Sequence, residues 1–273
     1  MYAVVSLISL FLSLLFNCLT TRVSGQVFDD RRYTTIDSLT KTEFFCEYTV
    51  DTTSLFDAER ARRIPVAYYR LKMDGVKKQK LVIFNHGYSG DKNEHDYLAY
   101  SFLCEYLASK GFLVVSIQHD LGNDEPLAMT GNLQETRRPN WERGVQNIRF
   151  VLNDLQKSHL NIDYTQVSLI GHSNGGDVAM LFAQTYPEII DKIISLDNRR
   201  MPFPRKKHPR IYSLRSSDQV ADQGVIPTKE EQKKFRIKVV KSANIPHNAM
   251  DENANDAQRN TINNYILDCI TQK

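Results

Sequence analysis

Three observations in the sequence predict an α/β fold, a mostly parallel sheet with helices on both faces. Short apolar strands alternate with helical segments from Arg63 onward, and that alternation implies right-handed crossovers between neighbouring strands. The runs Leu81 to Phe84, Phe112 to Ile117 and Ile193 to Leu196 are dominated by apolar residues, as strands buried on both faces are. A further stretch, Val167 to Ile170, leads straight into Gly171-His172-Ser173-Asn174-Gly175-Gly176 and then into a helical segment. This sets a serine at the carboxyl end of a strand, where sheets of this kind bind their ligands.

The elements follow in order. Arg63 to Leu71 alternates apolar and polar residues with Pro65 near its start, which suits an edge strand. Asp74-Gly75 marks a turn before the Leu81 strand. A helix is predicted from Glu94 to Ser109, with Leu98, Phe102, Leu103, Tyr106 and Leu107 on one face and Lys110-Gly111 as its stop. After the Phe112 strand, a polar loop from Gln118 to Pro139 leads into a helix from Trp141 to Gln156. The serine strand and its helix come next, followed by strands at Ile193 to Leu196, Ile211 to Leu214 and Arg236 to Val240. The last helix carries Ile262, Tyr265, Ile266, Cys269 and Ile270 at helical spacing. Few residues separate Asp197 from His208, which leaves no room there for a large cap domain.

The 273 residues divide into a leader, an extension and one domain. Ala3 to Leu19 is apolar and uncharged, and Thr20 to Gly25 supplies small residues. Residues 1–25 therefore read as a signal peptide and the protein as secreted or periplasmic. An uncleaved membrane anchor is the alternative reading, because the run is barely long enough to span a bilayer. Residues 26–56 form a polar, Thr-rich extension, expected to be irregular apart from a short strand near Phe44 to Val50, and 57–273 form the domain. Removing the leader leaves Cys46, Cys104 and Cys269, so at least one thiol stands outside any internal disulfide. Cys104 and Cys269 are the expected pair, since the first and last helices cover the same face of the sheet. The net charge of +3 and the absence of a Lys/Arg block interleaved with aromatics argue against a nucleic-acid partner. No Cys/His cluster has zinc-site spacing, and neither a cofactor nor a metal is expected. Oligomeric state is not encoded in any pattern here.

Gly171-His172-Ser173-Asn174-Gly175, between strand and helix, is a nucleophile elbow. The sharp turn strains Ser173 and leaves no space for side chains at Gly171 and Gly175, while the helix aims its positive end at the reacting group. A serine hydroxyl needs a base, and a third group must orient that base. Only His208 and His247 follow Ser173. His208 precedes a strand, at the wrong end of the sheet, whereas His247 follows the last strand, so His247 is the expected base. Asp197 and Asp218 compete for the orienting role. Asp218 is favoured because it follows the strand next to the one leading to His247, and Asp197 is the alternative acid. The oxyanion is expected to meet the amide of Asn174 and, from the turn Asn85-His86-Gly87-Tyr88-Ser89-Gly90, the amide of Tyr88. His172 is expected to pack beside the strand, and His86 and His119 to border the site.

Taken together, Phe84 to Tyr88, Gly171 to Gly176, Asp218 and His247 make the chain resemble the α/β-hydrolase superfamily. The nearer likeness is to its lidless serine esterases: the dienelactone-hydrolase-like, platelet-activating-factor-acetylhydrolase-like and cutinase-like groups. Asp57 to Val66 is also similar to the acetylhydrolase-like members. The resemblance implies hydrolysis of carboxylic esters through an acyl-enzyme. Dienelactone hydrolases proper use a cysteine where this chain has Ser173. The expected substrate is a small-molecule or lipid ester in an open site. Met129, Trp141, Met201, Phe203 and Met250 are candidates for an apolar wall. The basic run Arg199 to Lys207 is a candidate rim for anionic substrates or a membrane surface. Two other classes stay open: a serine peptidase or amidase, whose sign would be an acidic amine-binding pocket that the sequence does not display, and a non-catalytic binding module.

Overall fold

The computed structural model describes residues 47–72, 78–90, 94–158 and 160–272, all within one compact unit spanning Phe44–Lys273. The predicted leader, Cys18 and Cys46 lie outside the described residues. Eight strands form one sheet: β1 (Tyr48–Asp57), β2 (Arg62–Leu71), β3 (Gln79–Asn85), β4 (Leu113–Ile117), β5 (Ile162–His172), β6 (Lys192–Leu196), β7 (Arg210–Arg215) and β8 (Lys238–Lys241). Their spatial order is β1-β2-β4-β3-β5-β6-β7-β8. β1 and β2 run antiparallel to their neighbours, and every pairing from β4 to β8 is parallel. This is the α/β-hydrolase fold. Residues 197–209, between β6 and β7, contain no regular element, so no cap is built there.

The helices are α1 (Ser101–Ser109), α2 (Leu133–Thr136), α3 (Arg138–Lys157), α4 (Asn174–Thr185), α5 (Lys229–Phe235) and α6 (Asp256–Thr271). Successive strand residues face opposite sides of a sheet, and the two cores follow that alternation. Leu81 and Ile83 pack with Trp141, Ile148, Val178 and Phe182 under α3 and α4. Val82 and Phe84 pack with Leu103, Leu107, Ile262 and Ile266 under α1 and α6. Among the described residues, no helix is long and apolar enough to cross a membrane.

Several elements differ from the sequence reading. The extension is not irregular up to residue 56, because β1 pairs with β2 along its whole length. The helix expected from Glu94 is only a 3-10 turn at Asp96–Leu98 before α1 begins at Ser101. Side chains replace the helical ladder there: Gln118 Oε1 accepts from the Tyr97 amide at 3.1 Å, and Ser101 Oγ donates to the Leu98 carbonyl at 2.7 Å. α5 was not foreseen, although Thr228 and Glu231 cap its start reciprocally, a spacing that sequence alone displays.

The expected disulfide is absent. Cys104 and Cys269 do belong to the same core, but both are buried free thiols. Burial pushes the Cys104 thiol well up and that of Cys269 to about 11. Because the thiolate is the reactive species, neither should be alkylated by iodoacetamide in the native protein at neutral pH. Peptide mass mapping should find both modified only after unfolding, without reductant.

Candidate active site

Four loops at the carboxyl ends of the strands build the site. β5 ends at His172, and Ser173 turns the chain into α4 with φ 51° and ψ −117°, a region sparsely populated by L-residues. The turn closes only because of its glycines. A Cβ at Gly175 would come within 2.2 Å of the Asn85 carbonyl oxygen, and one at Gly171 within 2.3 Å of the Gly175 carbonyl oxygen. Side-chain atoms could shift to make room, but these contacts are backbone.

Ser173 Oγ lies 3.0 Å from His247 Nε2, and His247 Nδ1 lies 2.6 Å from Asp197 Oδ2. With Asp197 ionised, Nδ1 carries the proton and donates to the carboxylate, leaving the Nε2 lone pair to accept from the serine hydroxyl. Asp197 is fully buried. Burial works to raise its carboxyl, but the His247 hydrogen bond, the Arg215 guanidinium and the Ser216 amide together hold it below the usual carboxylate range. Arg215 Nη2 stands 2.7 Å from Asp197 Oδ1, and the Ser216 amide donates to the same oxygen at 3.0 Å. The loop after Asp197 is anchored in turn by Asp177, whose Oδ1 accepts from the amides of Arg200 and Met201 at 3.0 and 2.8 Å.

Asp218 does not meet the imidazole. It is exposed, and its Oδ1 accepts from the His247 backbone amide at 2.8 Å. The two loops meet as expected, but through the backbone and not through the ring. The sheet order explains the correction. Ser173 directly follows β5 and Asp197 directly follows β6, the neighbouring strand, and His247 meets both. Asp218, in the loop beyond β7, spends its carboxylate on the His247 backbone amide instead.

Gly87, Tyr88, His172, Ser173 and His247 line a cleft of about 560 Å³. Asn174 begins α4, and its side chain is turned away: Oδ1 accepts from Trp141 Nε1 at 2.8 Å, and Nδ2 donates to Asn140 Oδ1 at 2.9 Å. Asn174 is itself buried and is not among the lining residues of the cleft. The Tyr88 phenol accepts from the Leu127 amide at 3.3 Å. The His172 ring packs tilted against that of His247, 4.7 Å centroid to centroid. Burial, and secondarily the neighbouring His247, lower it to about 3, so it is neutral and adds no second charge beside the base.

Neither His86 nor His119 is among the lining residues of the cleft. Of the proposed apolar wall, Trp141, Met201, Phe203 and Met250 are core residues and Met129 is exposed; none lines the cleft. The basic run is also absent from it. Arg199 donates to Gln219, Arg200 pairs with Asp222, and Arg205 donates to the Phe203 and Gly224 carbonyls. The cleft wall instead carries Glu94, Asp96, Asp251 and Glu252, with no lysine or arginine among its described lining residues. Sequence gave no sign of this, since the four acids come from two segments far apart in the chain. Tyr100 and Arg215 were likewise not anticipated, because each is placed by a tertiary contact and not by a motif.

Comparison with known proteins agrees with this architecture. Residues 76–196 match the family described as serine aminopeptidase, S33. A candidate esterase/lipase of Haemophilus influenzae is 28% identical over 133 residues, which is 49% of this chain and 39% of that protein. The chain thus matches well under half the length of this curated relative. Among solved structures, a ferulic acid esterase from Streptomyces cinnamoneus superposes with a TM-score of 0.62 at 14% identity, covering 85% of this chain and 91% of the other. A dienelactone hydrolase-like promiscuous phosphotriesterase, P91 from metagenomic libraries, gives 0.60 at 15% identity, covering 82% and 98%. An esterase from Pyrobaculum calidifontis gives 0.57 at 13% identity, covering 82% and 85%. At these identities the structural likeness is one of fold.

Proposed function

We propose that this chain, with its α/β-hydrolase fold, is a serine hydrolase that cleaves carboxylic esters through an acyl-enzyme. The observation that carries the reading is the hydrogen-bonded series Ser173–His247–Asp197 at the mouth of a cleft. In this mechanism Ser173 Oγ attacks the ester carbonyl while His247 Nε2 takes its proton. Asp197 keeps the imidazole in the productive tautomer and stabilises the imidazolium. The tetrahedral oxyanion is met by the amides of Asn174 and Tyr88, each donor typically worth about 3 kcal/mol. His247 then protonates the departing alcohol, and water, activated by the same ring, releases the acid. The esterase names among the similar proteins agree with this chemistry.

The test is intact mass after a fluorophosphonate probe, run on wild type and on Ser173→Ala. The expected result is one adduct on wild type, with loss of fluoride, and none on the variant. A folded wild-type protein that stays unmodified would leave the binding-module reading in its place.

A second reading, hydrolysis of amides of amine-bearing substrates, is favoured by one specific observation. Of the four cleft carboxylates, Glu94 is engaged by Arg63 and by the Gly122 amide. Asp96, Asp251 and Glu252 all lie close enough to Tyr100 to help raise its phenol, after burial as the main cause. A concave site lined by one sign of charge concentrates the opposite sign. A cationic ester should therefore show a higher kcat/KM than its neutral isostere, with the advantage shrinking as salt rises. Equal values at low salt would remove the electrostatic preference. Matched ester and amide substrates carrying the same cationic group would then decide between the two bond types.

A further inference from the structure

Both polar backbone atoms of Gly87 are held by buried side chains. Its amide donates to the Tyr100 phenol oxygen at 3.1 Å, and its carbonyl accepts from His86 Nδ1 at 2.7 Å. The neighbours fix where the protons lie. His86 Nε2 is 2.8 Å from the His119 backbone nitrogen, and since an amide only donates, Nε2 is bare and the ring proton sits on Nδ1. Tyr100 receives the Gly87 amide and, with the His172 proton on Nε2, donates its own to His172 Nδ1, 2.7 Å away. The neutrality of His172 keeps that acceptor available.

A trans peptide is planar, with its carbonyl and amide hydrogen on opposite sides. Tying the Gly87 carbonyl to His86 therefore points the Tyr88 N–H in the opposite direction within the shared plane. That direction is toward the cleft: Gly87, Tyr88 and Ser173 line it and His86 does not. The approach is close, because a Cβ on Gly87 would stand 3.5 Å from Ser173 Cβ and 3.0 Å from both Tyr100 Oη and His172 Nδ1. We propose that His86 and Tyr100 are positioning residues that clamp Gly87 from its two polar atoms and so hold the Tyr88 amide as an oxyanion donor over Ser173. The proposal rests on the serine-hydrolase reading and adds two side chains: His86, outside the cleft lining, and Tyr100, which lines the cleft but spends its hydroxyl on Gly87 and His172.

The test compares His86→Asn, His86→Gln and Tyr100→Phe with wild type. An asparagine amide nitrogen falls where Nδ1 stands, and a glutamine amide falls where Nε2 stands, so only the first keeps a donor for the Gly87 carbonyl. Each protein is assayed for kcat and KM on an activated ester and for the Ki of a trifluoromethyl ketone, which forms a tetrahedral oxyanion adduct. Because donors aimed at the oxyanion act on the transition state and not on ground-state binding, His86→Gln and Tyr100→Phe should lose about tenfold or more in kcat at nearly constant KM. Their ketone Ki should weaken by a similar factor, while His86→Asn stays within about threefold of wild type. A purely structural role would move the melting midpoint without this parallel. The clamp is overturned if glutamine rescues better than asparagine, if kcat is unchanged in all three, or if kcat falls with ketone affinity intact. Fluorophosphonate labelling of wild type separates the two levels. An unlabelled wild type removes the hydrolase reading and this proposal with it, whereas a labelled wild type with unchanged ketone affinity in the variants removes the clamp alone.

Discussion

Ser173→Ala is expected to bring turnover of an activated ester down to background, a loss of about 10⁶-fold, with the fold intact. The size of the effect follows from the geometry. Ser173 Oγ is the cleft group within reach of an imidazole, at 3.0 Å from His247 Nε2. Removing one oxygen deletes the nucleophile and leaves a base with nothing to activate. Alanine at this site must adopt the same positive φ of 51° as serine, so backbone strain is nearly unchanged, and the unfolding free energy should change by no more than about 1 kcal/mol. Residual turnover above the uncatalysed rate, from the oxyanion donors and binding alone, is compatible with the mechanism. Turnover equal to wild type would end the serine-hydrolase reading.

Much of this architecture was legible because it is written in local patterns. The alternation of apolar strands and helices, the run into Gly171 to Gly176, and the placement of His247 after the last strand each depend on residues adjacent in the chain. The collisions expected at Gly171 and Gly175 are the ones the backbone would suffer. What was not legible depends on residues brought together by the sheet. The acidic cleft joins Glu94 and Asp96 to Asp251 and Glu252 from the other end of the domain. Tyr100 reads as a residue inside a helix, yet it stands just before α1 and reaches Gly87 and His172. The Met and aromatic residues of the long loops looked suited to an apolar wall, but composition alone does not separate a wall from a core, and all except Met129 are core. Cys104 and Cys269 show the same limit, since sharing a face of the sheet does not bring two sulfurs to bonding geometry.

Asp197→Asn should cost about 10⁴-fold in kcat, and Asp218→Asn less than about tenfold, although Asp218's place after the strand next to the one leading to His247 favoured it in the sequence. The carboxylate of Asp197 accepts from His247 Nδ1 at 2.6 Å. An asparagine there presents either an amide oxygen, a weaker acceptor, or an NH₂ group that forces the proton onto Nε2. In the second case the imidazole cannot take the proton of Ser173. The same change leaves Arg215, paired at 2.7 Å and itself buried, without its counter-charge, so stability falls as well. The sign of the pH dependence follows from the lowered carboxyl of Asp197. A carboxyl depressed in the native state stabilises the fold above its unfolded value, and that contribution is lost as pH falls through the native one. The stability gap between wild type and Asp197→Asn should therefore be full at neutral pH and narrow in acid. Asp218, by contrast, uses one oxygen on the His247 amide, a bond that the asparagine carbonyl can still accept, and its exposure removes any burial penalty. Parallel kcat measurements on the two variants decide the matter. If Asp218→Asn were the more damaging, the acid would be Asp218, and the carboxylate under the ring would be a structural partner of Arg215.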